Sequence, residues 1–259
     1  MLRTSQSPMT LSEILPMKYN MDNQEKYKRY VAHFDMLGFK NATLRNPDEA
    51  WKALSSLRAC MDRVLELHIK VLSTNEIISN RIKAYIFSDS ILIFTLRDEP
   101  KDLISMLVLT SQIFADSLHA CIPLRGGISY GDFFFNLDLH LFCGTPFVKA
   151  YEIGEMVQWS GIVVDKAVAE HYQKNPFPKS RGSPIIIQWD VPVKPYGKKK
   201  FWVVNWSVIF RRNFKKELPI SVQDYYEAFK SLFGPYENLP ADVKAKYENT
   251  VNFINSNLG

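Results

Sequence analysis

The stretch YVAHFDMLGF, residues 30–39, joins a short β-prone run to a lone carboxylate and a glycine. The run from Tyr30 to Phe34 favours a strand, which ends at Asp35 shortly before Gly38. An unpaired charge buried at a strand end is costly. Asp35 therefore indicates either a site with a positive partner or an ordinary turn residue, because aspartate also favours turns and caps.

A second carboxylate has the same setting further along the chain. Residues 82–87 and 90–96 are two strand-like runs separated only by Ser88 and Asp89, which predicts a tight hairpin. Asp35 and Asp89 could thus project from neighbouring strand ends into one site. Two carboxylates in one place repel each other unless a cation joins them, and divalent cations held this way are typical of phosphoryl chemistry. The alternative, two unrelated turn residues, stays open on pattern alone.

Helical patterns flank these strands. Asn46, Pro47 and Glu49 predict a capped helix start. One apolar stripe then follows with spacings of four and three: Ala50, Leu54, Leu57, Met61, Val64, His68 and Val71. We expect His68 to be a packed residue of that stripe. A second helix is expected at 101–120, and a glycine-punctuated strand at 124–131.

The remaining segments extend an α/β pattern. Helices are expected at 144–155, 166–172, 222–233 and 241–258, and strands at 184–189 and 201–206 within a loop-rich stretch. Strand, helix, hairpin, helix and strand in that order predict an α/β sandwich with an antiparallel or mixed sheet. We expect a flexible leader at 1–27, a main domain at 28–175 and a C-terminal extension at 176–259 packed on it.

Composition limits the class of protein. The chain has 259 residues, 46% of them hydrophobic and 23% charged, which is ordinary for a globular protein. Its three cysteines are too few and scattered for a disulfide framework or a zinc site. No apolar run approaches the roughly 18 residues that cross a bilayer, and the N-terminus lacks a signal-peptide core. We therefore expect a cytoplasmic protein with no membrane partner.

The net charge of +5 leaves the partner open. Lysine and arginine runs at 198–200 and 211–212 would suit a polyphosphate or a nucleic acid, or would simply be solvated. Because the chain has no recognised nucleic-acid motif, we expect no nucleic-acid partner.

Four segments resemble, in the correct order, motifs of class III adenylate and guanylate cyclases. FDMLGF at 34–39 is similar to the segment that opens their catalytic domain, and FSDS at 87–90 is similar to their metal-binding hairpin turn. RGGISYG at 125–131 and GTPFVKA at 144–150 resemble their later strand and helix start. The resemblance covers about residues 30–170 and implies a ferredoxin-type sheet with helices packed on it, plus the C-terminal strands and helices.

Four positions depart from that family. Tyr85 stands where purine-selective adenylate cyclases have a base-reading lysine, and Leu141 where many have an acidic residue. The transition-state asparagine and arginine fall on Val148 and Glu152. This altered set is similar to the pyrimidine cyclases of bacterial Pycsar antiphage systems, whose VNW segment also resembles residues 204–206. That resemblance implies cyclisation of a pyrimidine nucleoside triphosphate, with UTP favoured over CTP, to a 3′,5′-cyclic nucleotide that acts as a second messenger in antiphage defence.

The resemblance also implies a set of site residues. Two Mg²⁺ or Mn²⁺ ions would be held by Asp35, Met36 and Asp89, and the backbone of Leu37, Gly38 and Phe39 would bind phosphates. Tyr85 and Leu141 would face the base, with Tyr85 alternatively a core aromatic residue. Lys149, Arg125 and Lys40, in that order, are candidates for the transition-state cation, with a structural role as the alternative for Arg125. A homodimer would place the active sites at its interface.

Other functions stay open beside this one. Loss of the asparagine–arginine pair favours a non-catalytic nucleotide-binding protein, whereas both aspartates favour an enzyme. A purine cyclase is a further alternative. A diguanylate cyclase would need a GG[DE]EF segment, which the chain lacks.

Overall fold

The computed structural model describes residues 25–66, 68–71, 74–77, 80–176, 184–195, 197–213 and 219–256. Most of the expected leader therefore lies outside the described residues, although the first strand already begins at Glu25. Within these ranges no helix is long and apolar enough to cross a membrane.

A mixed sheet of eight strands forms the centre of the described structure. Its strand order is β4-β5-β1-β6-β8-β10-β9, with β7 paired to β6, while β2 and β3 form a separate hairpin. Only β6 and β8 pair in parallel within this described sheet. The strands are β1 (Glu25–Met36), β2 (His68–Val71), β3 (Thr74–Ile77), β4 (Ile82–Phe87), β5 (Ser90–Thr95), β6 (Leu124–Asn136), β7 (Leu141–Gly144), β8 (Ile162–Val164), β9 (Ile186–Pro192) and β10 (Lys198–Val204). The expected mixed α/β architecture is confirmed.

Helices connect and cover these strands. They are α1 (Phe39–Arg45), α2 (Pro47–Leu65), α3 (Pro100–His119), α4 (Thr145–Met156), α5 (Lys166–Lys174), α6 (Ser207–Asn213), α7 (Val222–Tyr226), α8 (Lys230–Phe233) and α9 (Ala241–Ser256). The expected cap of α2 is present, since the Asn46 side chain accepts a hydrogen bond from the Glu49 amide at 3.2 Å. The Glu49 carboxylate accepts a hydrogen bond from Lys52. It does not accept one from the Asn46 amide, as a capping box would require, because that amide donates to the Ala42 carbonyl oxygen.

Alternation along β1 separates two faces of the sheet. Tyr30, Phe34 and Met36 are buried in the main core, together with side chains of α2 and α3 such as Leu57 and Leu107. The intervening residues of β1 point to the opposite face, where α4 lies. We call the face with the main core the closed face and the face on which α4 lies the open face.

Glycines let α4 lie directly on the open face. A Cβ at Gly127 would come within 2.8 Å of Ile153 Cγ2 and 2.9 Å of the Ala150 carbonyl oxygen. A Cβ at Gly154 would lie 3.2 Å from Gly126 Cα. The glycines of β6 therefore allow α4 to pack directly against the strand backbone, and a side chain at Gly127 would push α4 outward.

Three expectations about elements were wrong. The α2 stripe ends at Val64, because the helix stops at Leu65 and both His68 and Val71 belong to β2. A spacing of four and three does not exclude a strand over a few residues, and β-branched Ile69 and Val71 favour one.

The other two corrections concern the C-terminal part of the chain. The lysine run at 198–200 forms the start of β10 rather than a loop. The helix expected at 222–233 is divided between α7, a short 3₁₀ turn and α8.

Candidate active site

The two aspartates lie at the same end of neighbouring strands, where β1 ends and the β4–β5 turn begins. Asp35 is the second-last residue of β1, paired with Ser90 of β5 on one side and Arg125 of β6 on the other. The Met36 amide donates to the Asp89 backbone oxygen at 2.8 Å, which fixes the β4–β5 turn against the end of β1. The backbone therefore brings the end of β1 and the turn that contains Asp89 next to each other.

Arg125 connects this edge to α4. Its Nε donates to Asp35 Oδ2 at 2.9 Å, and its Nη2 donates to Glu155 Oε1. The Arg125 side chain is 10% exposed, whereas that of Asp35 is 26% exposed. A nearly buried arginine therefore offsets the charge of a carboxylate that stays open to the solvent.

His33 belongs to the same face, two residues before Asp35, and sequence reasoning missed it. Burial lowers the pKa of His33, against the opposing effect of the Asp35, Glu155 and Asp89 carboxylates. Its ring packs edge-on against Phe147 and Tyr151 of α4, at centroid distances of 5.5 and 5.3 Å. The neutral His33 ring, packed against Phe147 and Tyr151, therefore forms part of the surface next to Asp35. The strict alternation of β1 was the signal that could have assigned His33 to this face.

The turn after β1 is a tight one. Gly38 has φ of 74°, a left-handed conformation that favours glycine, and α1 starts at Phe39. The Leu37 amide donates to the Pro123 carbonyl oxygen at 2.9 Å. Because that amide already has a partner, Gly38 and Phe39 are the two candidates left for phosphate binding at this turn.

Tyr85 lies in a cluster of aromatic residues on the open face. Its ring centroid is 4.9 Å from that of Phe142 and about 6 Å from those of Phe94, Phe87 and His140. Burial raises the pKa of Tyr85, so its hydroxyl stays protonated and can act as a hydrogen-bond donor. Tyr85 is partly exposed but does not line the cleft described next, whereas its neighbours Phe87, His140 and Phe142 do.

A cleft of about 610 Å³ adjoins this cluster. It includes the residues that flank the Ser88-Asp89 turn, Phe87 and Ser90, and it contains Leu141. Its other lining residues are His33, Leu92, His140, Phe142, Phe147, Val148 and Tyr151. Such an apolar wall beside two carboxylates suits a ligand that has a flat ring at one end and negative charges at the other.

Several of these apolar side chains are unusually exposed. The exposed fraction is 47% for Phe87, 60% for Leu141, 53% for Val148 and 50% for Tyr151. They form one apolar patch around the cleft, and patches of this kind mark surfaces that bind a partner or a ligand.

Lys149 is exposed on α4 and has no ion pair among the residues that the structure describes. Six residues separate it from Glu155, the acidic residue that contacts Arg125, which corresponds to about 9 Å along the helix. Val148 and Glu152 are exposed on the same helix. Within one chain, Arg125 is therefore the cation in contact with Asp35, and Lys149 points to solvent.

The described residues contain no group of three or more histidine, cysteine, aspartate or glutamate side chains placed to hold a metal ion. A cation at Asp35 and Asp89 would therefore have two carboxylates from this chain and need further oxygen ligands. Backbone carbonyls, water or substrate phosphates commonly supply these for magnesium.

The fold is similar to known structures. The catalytic core of a rhodopsin-guanylyl cyclase with converted specificity, in complex with ATPαS, matches with TM-score 0.51 and 16% sequence identity, over 70% of this chain and 98% of that one. An adenylate/guanylate cyclase/hydrolase from Silicibacter pomeroyi matches with TM-score 0.47, also at 16% identity and with the same coverage. At this identity the first likeness shows the fold alone, and the chain has the fold of a nucleotide cyclase catalytic domain.

Comparison by sequence adds no relative. No protein-family model matches the chain, and no curated protein matches it in a sequence search.

Proposed function

We propose that this chain, with its nucleotide cyclase fold, converts a pyrimidine nucleoside triphosphate to the 3′,5′-cyclic nucleotide and pyrophosphate, with UTP preferred to CTP. One observation carries the proposal: the turn that contains Asp89 adjoins Asp35 at the end of β1, beside an aromatic cleft on the face that α4 only partly covers. A structural pair of turn residues would not need an open carboxylate next to a base-sized apolar wall.

The donor set at this edge fits a divalent cation. Asp35 is partly exposed, and its contact with Arg125 uses Oδ2, so Oδ1 has no hydrogen bond among the described residues. Asp35 and Asp89 would hold the cation, with the Met36 backbone as the expected neighbouring ligand. When bound, Mg²⁺ or Mn²⁺ would acidify the ribose 3′-hydroxyl and offset the charge of the departing pyrophosphate.

The protein's own groups would align the substrate. Arg125 holds the Asp35 carboxylate in one orientation through Nε, while Glu155 fixes the other end of the guanidinium. The Gly38 and Phe39 amides are the expected phosphate donors. Holding the 3′-hydroxyl in line with the α-phosphate accounts for a large part of the catalysis that such a site provides.

Tyr85 and its aromatic neighbours support the choice of a pyrimidine. A one-ring base leaves the space that the second ring of a purine would fill, and an aromatic side chain can occupy it. Leu141 at the cleft provides no charge with which to read a purine edge. Uracil and cytosine differ by one exchange of donor and acceptor, and the preference for UTP rests on the resemblance to pyrimidine cyclases.

A second copy of the chain would complete the site. The exposed patch of Phe87, Leu141, Val148 and Tyr151 surrounds the cleft and would be covered in a homodimer. Lys149, which has no acidic partner among the residues that the structure describes, would then serve the active site of the partner as the transition-state cation. This arrangement explains how a chain without the usual asparagine and arginine could still stabilise the developing charge.

A non-catalytic nucleotide-binding protein is the second candidate. Val148 and Glu152 stand where the transition-state pair would be, and Arg125 is already paired with two carboxylates. One experiment separates the two: incubation with each of UTP, CTP, ATP and GTP and Mn²⁺, with products identified by mass. Cyclic UMP as the main product supports the proposal, cyclic AMP or GMP points to a purine cyclase, and binding without turnover supports the second candidate.

A further inference from the structure

A second cavity, of about 210 Å³, lies between the Gly38 turn and the C-terminal helices, and it shares no lining residue with the cleft. Its wall is mainly apolar and includes Leu37, Phe233, Leu239 and Val243. An apolar cavity of about 150 Å³ is already large enough to bind benzene. The space therefore suits one aromatic ring with a small substituent.

The cavity wall is held together by contacts between distant parts of the chain. Arg45, at the end of α1, donates through Nη1 to the Phe233 carbonyl oxygen at 2.8 Å and through Nη2 to that of Leu232. A Cβ at Gly38 would lie 3.2 Å from Phe233 Cε1, so this ring rests on the turn. The cavity is consequently a gap between two elements that are fixed to each other, rather than a surface dent.

One charged group lines this apolar space. The Lys246 side chain is only 18% exposed, and its Nζ lies 3.6 Å from Asp242 Oδ2. The Asp242 side chain is 72% exposed, so water weakens this long ion pair. A lysine whose side chain is mostly covered and whose ion pair is long and exposed would gain from a closer anion.

Tyr247 also lines the cavity, and its ring packs against Tyr226 at a centroid distance of 4.9 Å. Burial raises the pKa of the Tyr247 hydroxyl well above the ordinary value, so the group stays protonated at neutral pH. A lysine beside an apolar wall is the complement of a carboxylate attached to a ring.

We propose that this cavity binds a small aromatic carboxylate, with its ring against Phe233 and Val243 and its carboxylate at Lys246. The proposal concerns a site separate from the cleft and does not depend on the reaction performed there. Because Gly38 and Leu37 belong to the wall, an occupant contacts the turn directly, and binding should be detectable at the Gly38 amide.

Benzoate is the probe, and benzyl alcohol is its uncharged counterpart of the same shape. Both are titrated into ¹⁵N-labelled full-length protein without nucleotide, and the amide resonances are followed by NMR. Lys246→Met keeps the length of the side chain and removes the charge. Val243→Trp fills the cavity and keeps the charge. Thermal melting of both variants checks that they are folded.

For the wild type we expect saturable shifts of the Gly38 and Tyr247 amides with benzoate. Lys246→Met should weaken benzoate binding about tenfold, as expected for loss of a charge-assisted hydrogen bond, and leave benzyl alcohol binding nearly unchanged. Val243→Trp should weaken both ligands by about tenfold or more, because the ring no longer has space.

The proposal is overturned if wild-type protein shows no saturable shift up to roughly 20 mM benzoate, a concentration beyond the millimolar affinity that marks weak binding. It is equally overturned if folded Lys246→Met binds benzoate as tightly as the wild type. The nucleotide assay is not involved, so failure of the cyclase proposal would leave this result unaffected.

Discussion

The two faces of the sheet are built from alternate residues of the same strands, yet they differ in what covers them. On the closed face, Phe34 and Leu57 are fully buried between β1 and the helices α2 and α3. On the open face, Asp35 remains 26% exposed, and Phe87 and Leu141 have large exposed surfaces. One face is completed by its own chain, whereas the other is covered by α4 only in part and leaves a carboxylate and apolar side chains exposed in the described structure.

This difference separates stability from chemistry. Substitutions on the closed face should change the free energy of unfolding and leave substrate preference alone. Substitutions of the partly exposed residues around the cleft on the open face should change turnover or selectivity and leave the fold intact. Four predictions test that separation, in order of expected effect.

The largest effect is expected at the carboxylate pair. Asp35→Ala or Asp89→Ala should lower the rate of cyclisation by about a thousandfold or more, because each removes a ligand for the cation that the reaction needs. Melting temperatures should stay close to that of the wild type. Asp62→Ala, on the exposed side of α2, is the control and should keep full turnover. Near-wild-type rates for either variant at saturating Mn²⁺ would exclude the two-carboxylate site.

On the closed face, Leu57→Ala should destabilise the protein by about 2–5 kcal/mol, since it leaves a cavity at a fully buried position. Leu44→Ala removes the same atoms from a side chain that is 78% exposed and should change stability by no more than about 0.5 kcal/mol. Denaturant unfolding measures both. If Leu57→Ala altered the ratio of UTP to ATP turnover in the folded protein, the two faces would not be independent.

Tyr85 tests selectivity on the open face. Tyr85→Ala should lower turnover of UTP and narrow the gap in kcat/KM between pyrimidines and purines by about ten- to a hundredfold, because the space for a second ring opens. Tyr85→Phe keeps the ring and should retain most of the exclusion of purines. Measurement of kcat/KM for all four triphosphates distinguishes these effects. A lower melting temperature with equal loss on every substrate would instead assign Tyr85 to the packing of the aromatic cluster.

The smallest change in activity is expected from mixed dimers, in which a second chain covers the exposed part of the open face. Mixing Asp35→Ala and Lys149→Ala chains in equal amounts should restore about a quarter of wild-type activity, since half of the dimers are mixed and each then has one complete site. Asp35→Ala mixed with Asp89→Ala should restore nothing, because both residues serve the same half of the site. Equal behaviour of the two mixtures, with mixed dimers shown to form, would argue against a shared site.

Sequence reasoning was most successful where a pattern is local. The hairpin around Asp89 and the helix at 100–119 follow from strand alternation, helical spacing and proline position, and both are present. Short elements such as α1, β7 and β8 were not predicted, because three to seven residues contain too little periodicity. The α2 stripe was extended too far for the same reason.

The sequence predicted only the part of the site that depends on where strands end. That Asp35 and Asp89 adjoin follows from two apolar runs that end in a carboxylate. The pairing of Arg125 with Asp35 depends on the register of β1 against β6, which the sequence does not show. The contact with Glu155 depends in turn on α4 lying over two glycines of β6.

Cyclisation at the open face can be measured through the stoichiometry of its products. Wild-type protein is incubated with UTP and Mg²⁺ and followed by ³¹P NMR, beside the Asp35→Asn variant as the matched control. We predict 3′,5′-cyclic UMP and pyrophosphate in equal amounts from the wild type, and unchanged UTP with the variant. Release of UMP or UDP, or equal formation of cyclic UMP by both proteins, would contradict the account.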